Sequence, residues 1–590
     1  MATSAPIPGD SSYAEATLNK AFIFLLFICA LTFLPWLGMT PFNTKGEPRE
    51  AVVAMSMLQQ HNWILPVSCG GDIPYKPPFL AWLIALFSFP LGHVTEYTSR
   101  LPSALAVIAM VTTGFRLYCR RTSTSVAMIA AIVTFTAFEV NRAGMSCRVD
   151  MVLTAFSVMA MYSLFRHFER PRSPLPWGAV ALMSCAVLTK GPVGALLPCL
   201  VTGIYLLIRG HRFWPVLGRL AAVGALSLVV PAIWYAAAYN VGGDEFLRLA
   251  IEENFGRFTG SMSYESHSKP IYYNLITLIA GWLPYTILAL LSLFVLKAKR
   301  PDSPVGAILA RMWMRIRLMR PIVLYSLVAI VTIFLFYCIP DSKRSVYLLP
   351  MYPFMGYFIA LLVIRMAYRH RAIFRIFGST LALLSIIVAM TFVALRFIDP
   401  SPQWFSGHHA TQDFDMAYAL HATPVYLLWV LWILAVWTAI VWFKVSRDRR
   451  PLHAVAATLT VIVTLYWSLA GLYQPIVLST KSDRDIARVI DTILPVETLY
   501  TYISTPMLRY YTVNFYLGDR TIPVTDALAS GASLTPTPLP AEGHILLNDQ
   551  DLPRLQSHFP SHTFIPVYTS SHPSCDTRRP ATLYHFTENP

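Results

Sequence analysis

Charge is scarce in this chain: Asp, Glu, Lys and Arg together make up 13% of 590 residues, while 55% are hydrophobic and the mean hydropathy is +0.52. A soluble chain carries roughly twice that charged share, so an ordinary soluble enzyme is excluded. Acidic residues are the scarcer sign, 31 against 46 basic, which leaves a formal net charge of +15. The eight cysteines show no CxxC and no metal-ligand spacing, so nothing in their arrangement points to a structural zinc or a redox dithiol. Gly-rich strand–turn–helix signatures are missing from the loops, which argues against a nucleotide-binding fold. No cleavable leader is expected at the start of this sequence. The first 20 residues are polar, with no basic stretch beyond Lys20 and no small-residue cleavage site after the first apolar run, so that run is expected to stay as a signal anchor.

What the chain does have is long apolar runs. A bilayer crossing needs about 20 apolar residues, and such runs recur from Ala21 to the region of Tyr473. Spans are expected near 21–39, 99–118, 124–140, 149–166, 175–189, 192–208, 220–239, 271–296, 321–338, 346–364, 376–396, 422–443 and 453–473. That gives an α-helical polytopic membrane protein of about thirteen crossings. The run from Pro77 to Leu91 is short, opens with two prolines and holds a third at Pro90. It reads as an interfacial or re-entrant helix.

Basic residues then fix the orientation. Arg116, Arg120 and Arg121, Arg166 and Arg170, Arg209 and Arg212, Arg311 to Arg320, Arg365 to Arg375 and Lys444 to Arg450 all fall in alternate loops. By the positive-inside rule those loops are cytoplasmic. The net charge therefore reports topology and calls for no nucleic-acid partner. Residues 1–20 become a cytoplasmic segment, 21–475 a transmembrane domain with a first periplasmic loop over 40–98, and 476–590 a soluble periplasmic domain. The last reads as α/β, with a helix near Ser482–Ile493, strands near Leu499–Ile503 and His544–Leu547, and a Pro-rich loop over 534–540. Cys69, Cys147 and Cys575 fall on the external side, and the sequence leaves their pairing open.

The polar clusters between spans gather on that same external side. They are Lys45, Glu47, Arg49, Glu50 and Lys76; Asn141, Arg142, Arg148 and Asp150; Lys190 in Thr189-Lys190-Gly191-Pro192; Glu252 and Glu253; His267 and Lys269; and Asp341, Lys343, Arg344 and Tyr347. Taken singly, each reads equally as a snorkelling anchor or a solvated loop residue. A transporter would instead carry ionisable groups inside its spans, and these spans are nearly free of charge. Several cations with a few carboxylates at a membrane face suit a membrane-anchored phosphate donor. Arg offers a bidentate fork and Lys a point charge for the phosphate, and a carboxylate can take the proton of an attacking hydroxyl.

The ordered motifs GEPREAV, NWILP, YKPPFLAWL, EYTSRLPSAL, RAGMSCRVDMVL, AVLTKGPVGALLP, ENFGRF, HSKPIYY, GWLPY and SKRSVYLLPMYP resemble the bacterial polyprenyl-phosphate-sugar glycosyltransferases. That group includes the lipid A aminoarabinose transferases and is related to the protein O-mannosyltransferases. The resemblance runs from about Thr40 to Pro353 and more loosely into the tail. It implies a GT-C fold with a C-terminal periplasmic α/β domain, in a bacterial inner membrane, with the active site facing the periplasm. It also implies an undecaprenyl-phosphate-type sugar donor, membrane lipids as surroundings, and a lipid, glycan or protein acceptor. By resemblance Glu47 and Asp150 are the candidate catalytic carboxylates, and Arg49, Lys76, Lys190, His267, Lys343 and Tyr347 the candidate substrate-binding residues. No cofactor is assigned, and a divalent metal stays open because family members differ. Two departures stand out: Gly46 where many relatives have Asp, and Tyr75 where the arabinose branch has Glu. A flippase of lipid-linked sugars is the alternative from another class, and a non-catalytic scaffold the third.

Overall fold

The computed structural model describes residues 8–74, 76–171, 174–256, 268–295, 305–407, 409–424, 429–505, 508–524 and 538–589. His267 and most of the Pro-rich 534–540 stretch lie outside the described residues. Among the described residues eight helices are long and apolar enough to cross a membrane, or up to ten if each bent helix pair is one span. Shorter apolar helices follow at Phe79–Leu91, Trp177–Lys190, Val193–Ile208 and Trp429–Val445. Each stretch expected as a span falls on one of these helices or bent pairs, which makes the chain an integral membrane protein.

The helices that build the site are α1 (Pro8–Phe33), α2 (Pro48–Gln60), α3 (Phe79–Ser88), α4 (Glu96–Cys119), α5 (Thr124–Phe135), α6 (Phe138–Gly144), α7 (Val149–Glu169), α8 (Trp177–Lys190), α9 (Val193–Ile208) and α10 (Phe213–Ile251). Their boundaries follow from local chemistry. Pro48 sits at the first position of α2, where its missing N–H is no loss. Thr95 and Thr98 form a reciprocal cap at the start of α4, which satisfies amide groups that a helix leaves open at its start. Helix α8 ends on Gly191, whose φ of +93° is reached cheaply only without a Cβ. In the bundle α7 lies against α4, α8 and α9. Buried Val107, Met110, Met151, Val158 and Phe165 fill one continuous core.

After the last long helix the chain forms a five-stranded mixed sheet. Its strands are β1 (Leu499–Tyr502), β2 (Thr521–Val524), β3 (Glu542–Leu547), β4 (His562–Thr569) and β5 (Thr582–Glu588), in the order β2-β1-β3-β5-β4. Strand β1 pairs in parallel with β2 and β3, and β5 runs antiparallel to β3 and β4. Side chains alternate between faces. Leu546 and Leu583 join Ile486 and Ile490 on one side, while Ile545, Leu547 and Phe586 pack with Phe564 on the other. The helix at Arg484–Ile493 and the strands at β1 and β3 coincide with the expected elements.

This sheet region rests on the 40–98 segment. Arg509 pairs with Asp72, Arg484 and the Tyr516 hydroxyl both reach Glu96, and Asp519 accepts from the Ser56 hydroxyl and the Cys69 amide. All eight cysteines are free thiols, so Cys69, Cys147 and Cys575 do not pair.

Candidate active site

The amino-terminal ends of α2, α4 and α7, the end of α8 and the Ser345–Met351 turn meet, and three carboxylates come with them. Glu47, at the N-cap of α2, is buried. Its Oε1 accepts from Arg100 Nε at 2.9 Å and from the Cys147 amide at 2.9 Å, and its Oε2 accepts from Arg100 Nη2 at 3.3 Å. Burial pushes this carboxyl's pKa up, but the charge and hydrogen bonds of Arg100 and the Cys147 amide outweigh it and hold it below the usual range. Arg100 also donates to the carbonyls of Leu37 and Thr40. Every strong donor here is matched, and Glu47 stitches α4 to the loop before α2.

Glu50, one turn on, receives Lys76 Nζ at 2.5 Å and Arg49 Nη2 at 3.1 Å on the same oxygen. Burial raises its pKa, and the two cations reverse that, bringing it down to about 2. Burial is also the largest influence on Lys76, reinforced by Arg49 and opposed by Glu50 and Glu253, and it brings the ammonium down to about 8. Glu50 is the residue that sequence reasoning did not single out. It shares the first loop with Glu47, but its tie to Lys76, 26 positions away, is visible only in space.

Asp150 lies in the first turn of α7, where a carboxylate is favoured by the helix dipole. Its Oδ1 accepts from Lys190 Nζ at 2.5 Å, with side-chain exposures of 10% and 17% for the two residues. Its Oδ2 has no protein donor among the described residues. The Lys190 ammonium also lies 4.3 Å from the Tyr347 ring centroid, a cation–π contact that fixes its direction. Gly191 holds the turn after Lys190. A Cβ there would come 2.0 Å from Asn254 Oδ1, so Asn254 presses directly on the backbone.

Arg148 lies between these pairs. Burial is the main influence and lowers its pKa, Glu47 and Asp150 attract it, and Arg142 and Arg344 repel it. It makes no ion pair among the described residues. Gly46 gives it room, since a Cβ at that position would stand 2.8 Å from Arg148 Nη2. Among the described residues the site thus has a cation with no carboxylate of its own.

The structure therefore brings together Glu47, Asp150, Arg49, Lys76, Lys190 and Tyr347, and adds Glu50, Arg100 and Arg148. It does not bring in Lys343, which is buried and donates to the Pro340 carbonyl at 2.7 Å. Nearby, Glu139 pairs with Arg142, and Trp282 stacks on Tyr352 at 4.8 Å.

Residues 75–235 match the family described as dolichyl-phosphate-mannose-protein mannosyltransferase. An uncharacterized protein of Aquifex aeolicus (strain VF5) is 28% identical over 342 residues, which is 58% of this chain and 63% of that protein. The undecaprenyl phosphate-alpha-4-amino-4-deoxy-L-arabinose arabinosyl transferase of Shewanella sediminis (strain HAW-EB3) is 25% identical over 342 residues, 57% of this chain and 58% of its own length. In three dimensions the chain is similar to ArnT from Cupriavidus metallidurans bound to undecaprenyl phosphate. That match has a TM-score of 0.67 at 19% identity and covers 95% of this chain and 97% of the other. It shows a common fold, the GT-C fold. The aligned region spans less than two thirds of these curated relatives, 63% and 58% of their lengths. In sequence and in fold the chain is therefore similar to the GT-C polyprenyl-phosphate-sugar glycosyltransferases.

Proposed function

We propose that this protein is a glycosyltransferase that moves a sugar from an undecaprenyl-phosphate-type lipid to an acceptor at the periplasmic face of the bacterial inner membrane. The observation that carries the reading is the Asp150–Lys190–Tyr347 group beside Glu50–Lys76–Arg49, with Arg148 between. Lys190, Lys76, Arg49 and Arg148 converge there on Asp150 and Glu50 at one end of the helices, beside the Arg100–Glu47 pair. A donor phosphate entering between Lys76, Arg148 and Lys190 competes with the carboxylates for those cations. The cations then bear the charge that grows on the phosphate as the sugar leaves, and a displaced carboxylate gains a free lone pair.

Asp150 is the better base. One of its oxygens is already without a protein donor among the described residues, whereas both oxygens of Glu47 are engaged by Arg100 and the Cys147 amide. Asp150 would accept the proton of the attacking hydroxyl as it reaches the anomeric carbon opposite the phosphate. A single displacement of this kind inverts that centre. Glu47 acts as the positioning residue that holds Arg100 and the first loop. Glu50 tunes Lys76, and Arg49 and Tyr347 orient the cations. Lys343 remains a donor or acceptor contact outside this arrangement. The relatives named as undecaprenyl phosphate-aminoarabinose arabinosyl transferases favour an aminoarabinose donor; lipid A, other envelope glycans and protein hydroxyls are the candidate acceptors. In this reading residues 476–590 form a periplasmic domain over the 40–98 loop, where an acceptor would be met.

The experiment is transfer by the purified protein in nanodiscs, supplied with undecaprenyl-phosphate aminoarabinose and lipid A. The expected result is release of undecaprenyl phosphate and a sugar-bearing acceptor. A protein that moves the lipid-linked sugar across liposome bilayers but releases no undecaprenyl phosphate with any acceptor would make it a flippase.

A further inference from the structure

The site occupies one end of α4 and α7. At the other end the same two helices line a cavity of about 910 Å³ together with α1 and the start of α8. Arg100 to Arg116 on α4 and Asp150 to Arg166 on α7 each span sixteen residues, or about 24 Å of helix, so this cavity is distinct from the site. Five arginines line it: Arg116, Arg120 and Arg121 from the end of α4, and Arg166 and Arg170 from the end of α7. The one carboxylate in the lining, Glu169, is taken by Arg121. Arg120, Arg166 and Arg170 have no carboxylate partner among the described residues.

Basic residues at span ends follow in part from the positive-inside rule and from the negative end of a helix. Those rules are met by arginines that splay into solvent. Here they converge on one concavity, and its rim points to an occupant. The rim is amphipathic. Trp177 is 59% exposed beside the amino-terminal turn of α8, and Phe22 of α1 lies under the Arg116 guanidinium at 3.8 Å. Aromatic side chains of this kind favour the level of lipid headgroups.

We propose that this cavity binds the phosphate of an anionic phospholipid from the leaflet opposite the site. Arg120, Arg166 and Arg170 take the phosphate oxygens with charge-assisted hydrogen bonds. Trp177 and Phe22 lie along the glycerol and upper acyl chain. The site recognises a phosphodiester, a chemistry that free phosphate shares, but only the lipid uses the apolar rim.

The test is calorimetric binding of short-chain phosphatidylglycerol, short-chain phosphatidylcholine and inorganic phosphate to the full-length protein in a neutral detergent. Phosphatidylglycerol should bind about one to one and at least about ten-fold tighter than the other two. The R120Q/R166Q variant should lose about ten-fold or more of that affinity, and R120K/R166K should keep most of it. Equal binding of the two lipids overturns the proposal, as does undiminished binding by R120Q/R166Q. Inorganic phosphate binding as tightly as phosphatidylglycerol overturns the lipid assignment in favour of a soluble anion. If R120Q/R166Q does not fold, the ligand comparison and the single variant R166Q, expected to lose a few-fold in affinity, decide.

Discussion

Asp150 and Lys190 form the pair whose disruption separates chemistry from architecture. Replacing Lys190 with Met leaves a carboxylate unpaired at a helix end that is only 10% exposed, and Asp150→Asn leaves an ammonium 17% exposed. Breaking a buried pair on one side typically costs ~3–5 kcal/mol, while removing both partners is often close to neutral. Partial exposure here and the Tyr347 ring beside Lys190 lower the expected loss to ~2–3 kcal/mol for each single change. The D150N/K190M double variant should therefore recover most of the thermal stability that either single variant loses. Turnover should not follow. With the base gone, single-turnover transfer from pre-bound lipid donor should fall by ~100-fold or more, which is ~2.7 kcal/mol of barrier. K190M should lose both donor affinity and rate, since one phosphate-directed donor is worth ~2–4 kcal/mol in the transition state. Thermal unfolding in detergent and quench-flow transfer on the wild type, the two single variants and the double variant complete the cycle. If turnover recovers together with stability in the double variant, the pair is a structural clamp. If Asp150→Asn keeps most of its turnover, the base lies elsewhere.

Glu47→Gln should destabilise the protein by ~3 kcal/mol or more, because Arg100 is then buried beside a neutral partner, while the transfer step in folded protein falls less than for Asp150→Asn; a ~100-fold loss in that step at unchanged stability would return the role of base to Glu47. Lys76 holds a phosphate only when protonated, and its pKa near 8 means that kcat/KM should fall as pH rises through about 8, with the limb moving higher for kcat because bound phosphate stabilises the ammonium; Lys76→Arg should remove that limb, and a profile unchanged by Lys76→Arg would sink the assignment. Gly191→Ala should lower both stability and transfer, by ~1–3 kcal/mol in stability, since its φ of +93° and the Asn254 contact leave no room for a Cβ; calorimetry of the variant checks this. Cysteine labelling in intact cells should reach a Cys at Asp551 from outside and one at Arg120 only after permeabilisation, and the same side for both would break the topology.

The apolar runs, their lengths and the arginine-rich loops are read directly along the chain, because bilayer thickness and the positive-inside bias act on composition over stretches of contiguous residues. For that reason the helices at 99–118, 149–166 and 321–338 are legible from the amino-acid order alone, and so are β1 and β3, whose alternation is local. The motifs around Glu47, Lys76, Asp150 and Lys190 place the candidate site at helix ends. What the sequence does not carry is which charge neutralises which. Glu47 is matched to Arg100 across 53 positions, Glu50 to Lys76 across 26 and Asp150 to Lys190 across 40. A side chain's partner is set by how α2, α4, α7 and α8 pack, and packing depends on contacts among residues far apart in the chain. The same packing turns two unremarkable groups of span-end arginines into the walls of one cavity. Among the described residues it also leaves one oxygen of Asp150 without a donor while engaging both oxygens of Glu47, a difference between the two carboxylates that the sequence does not carry.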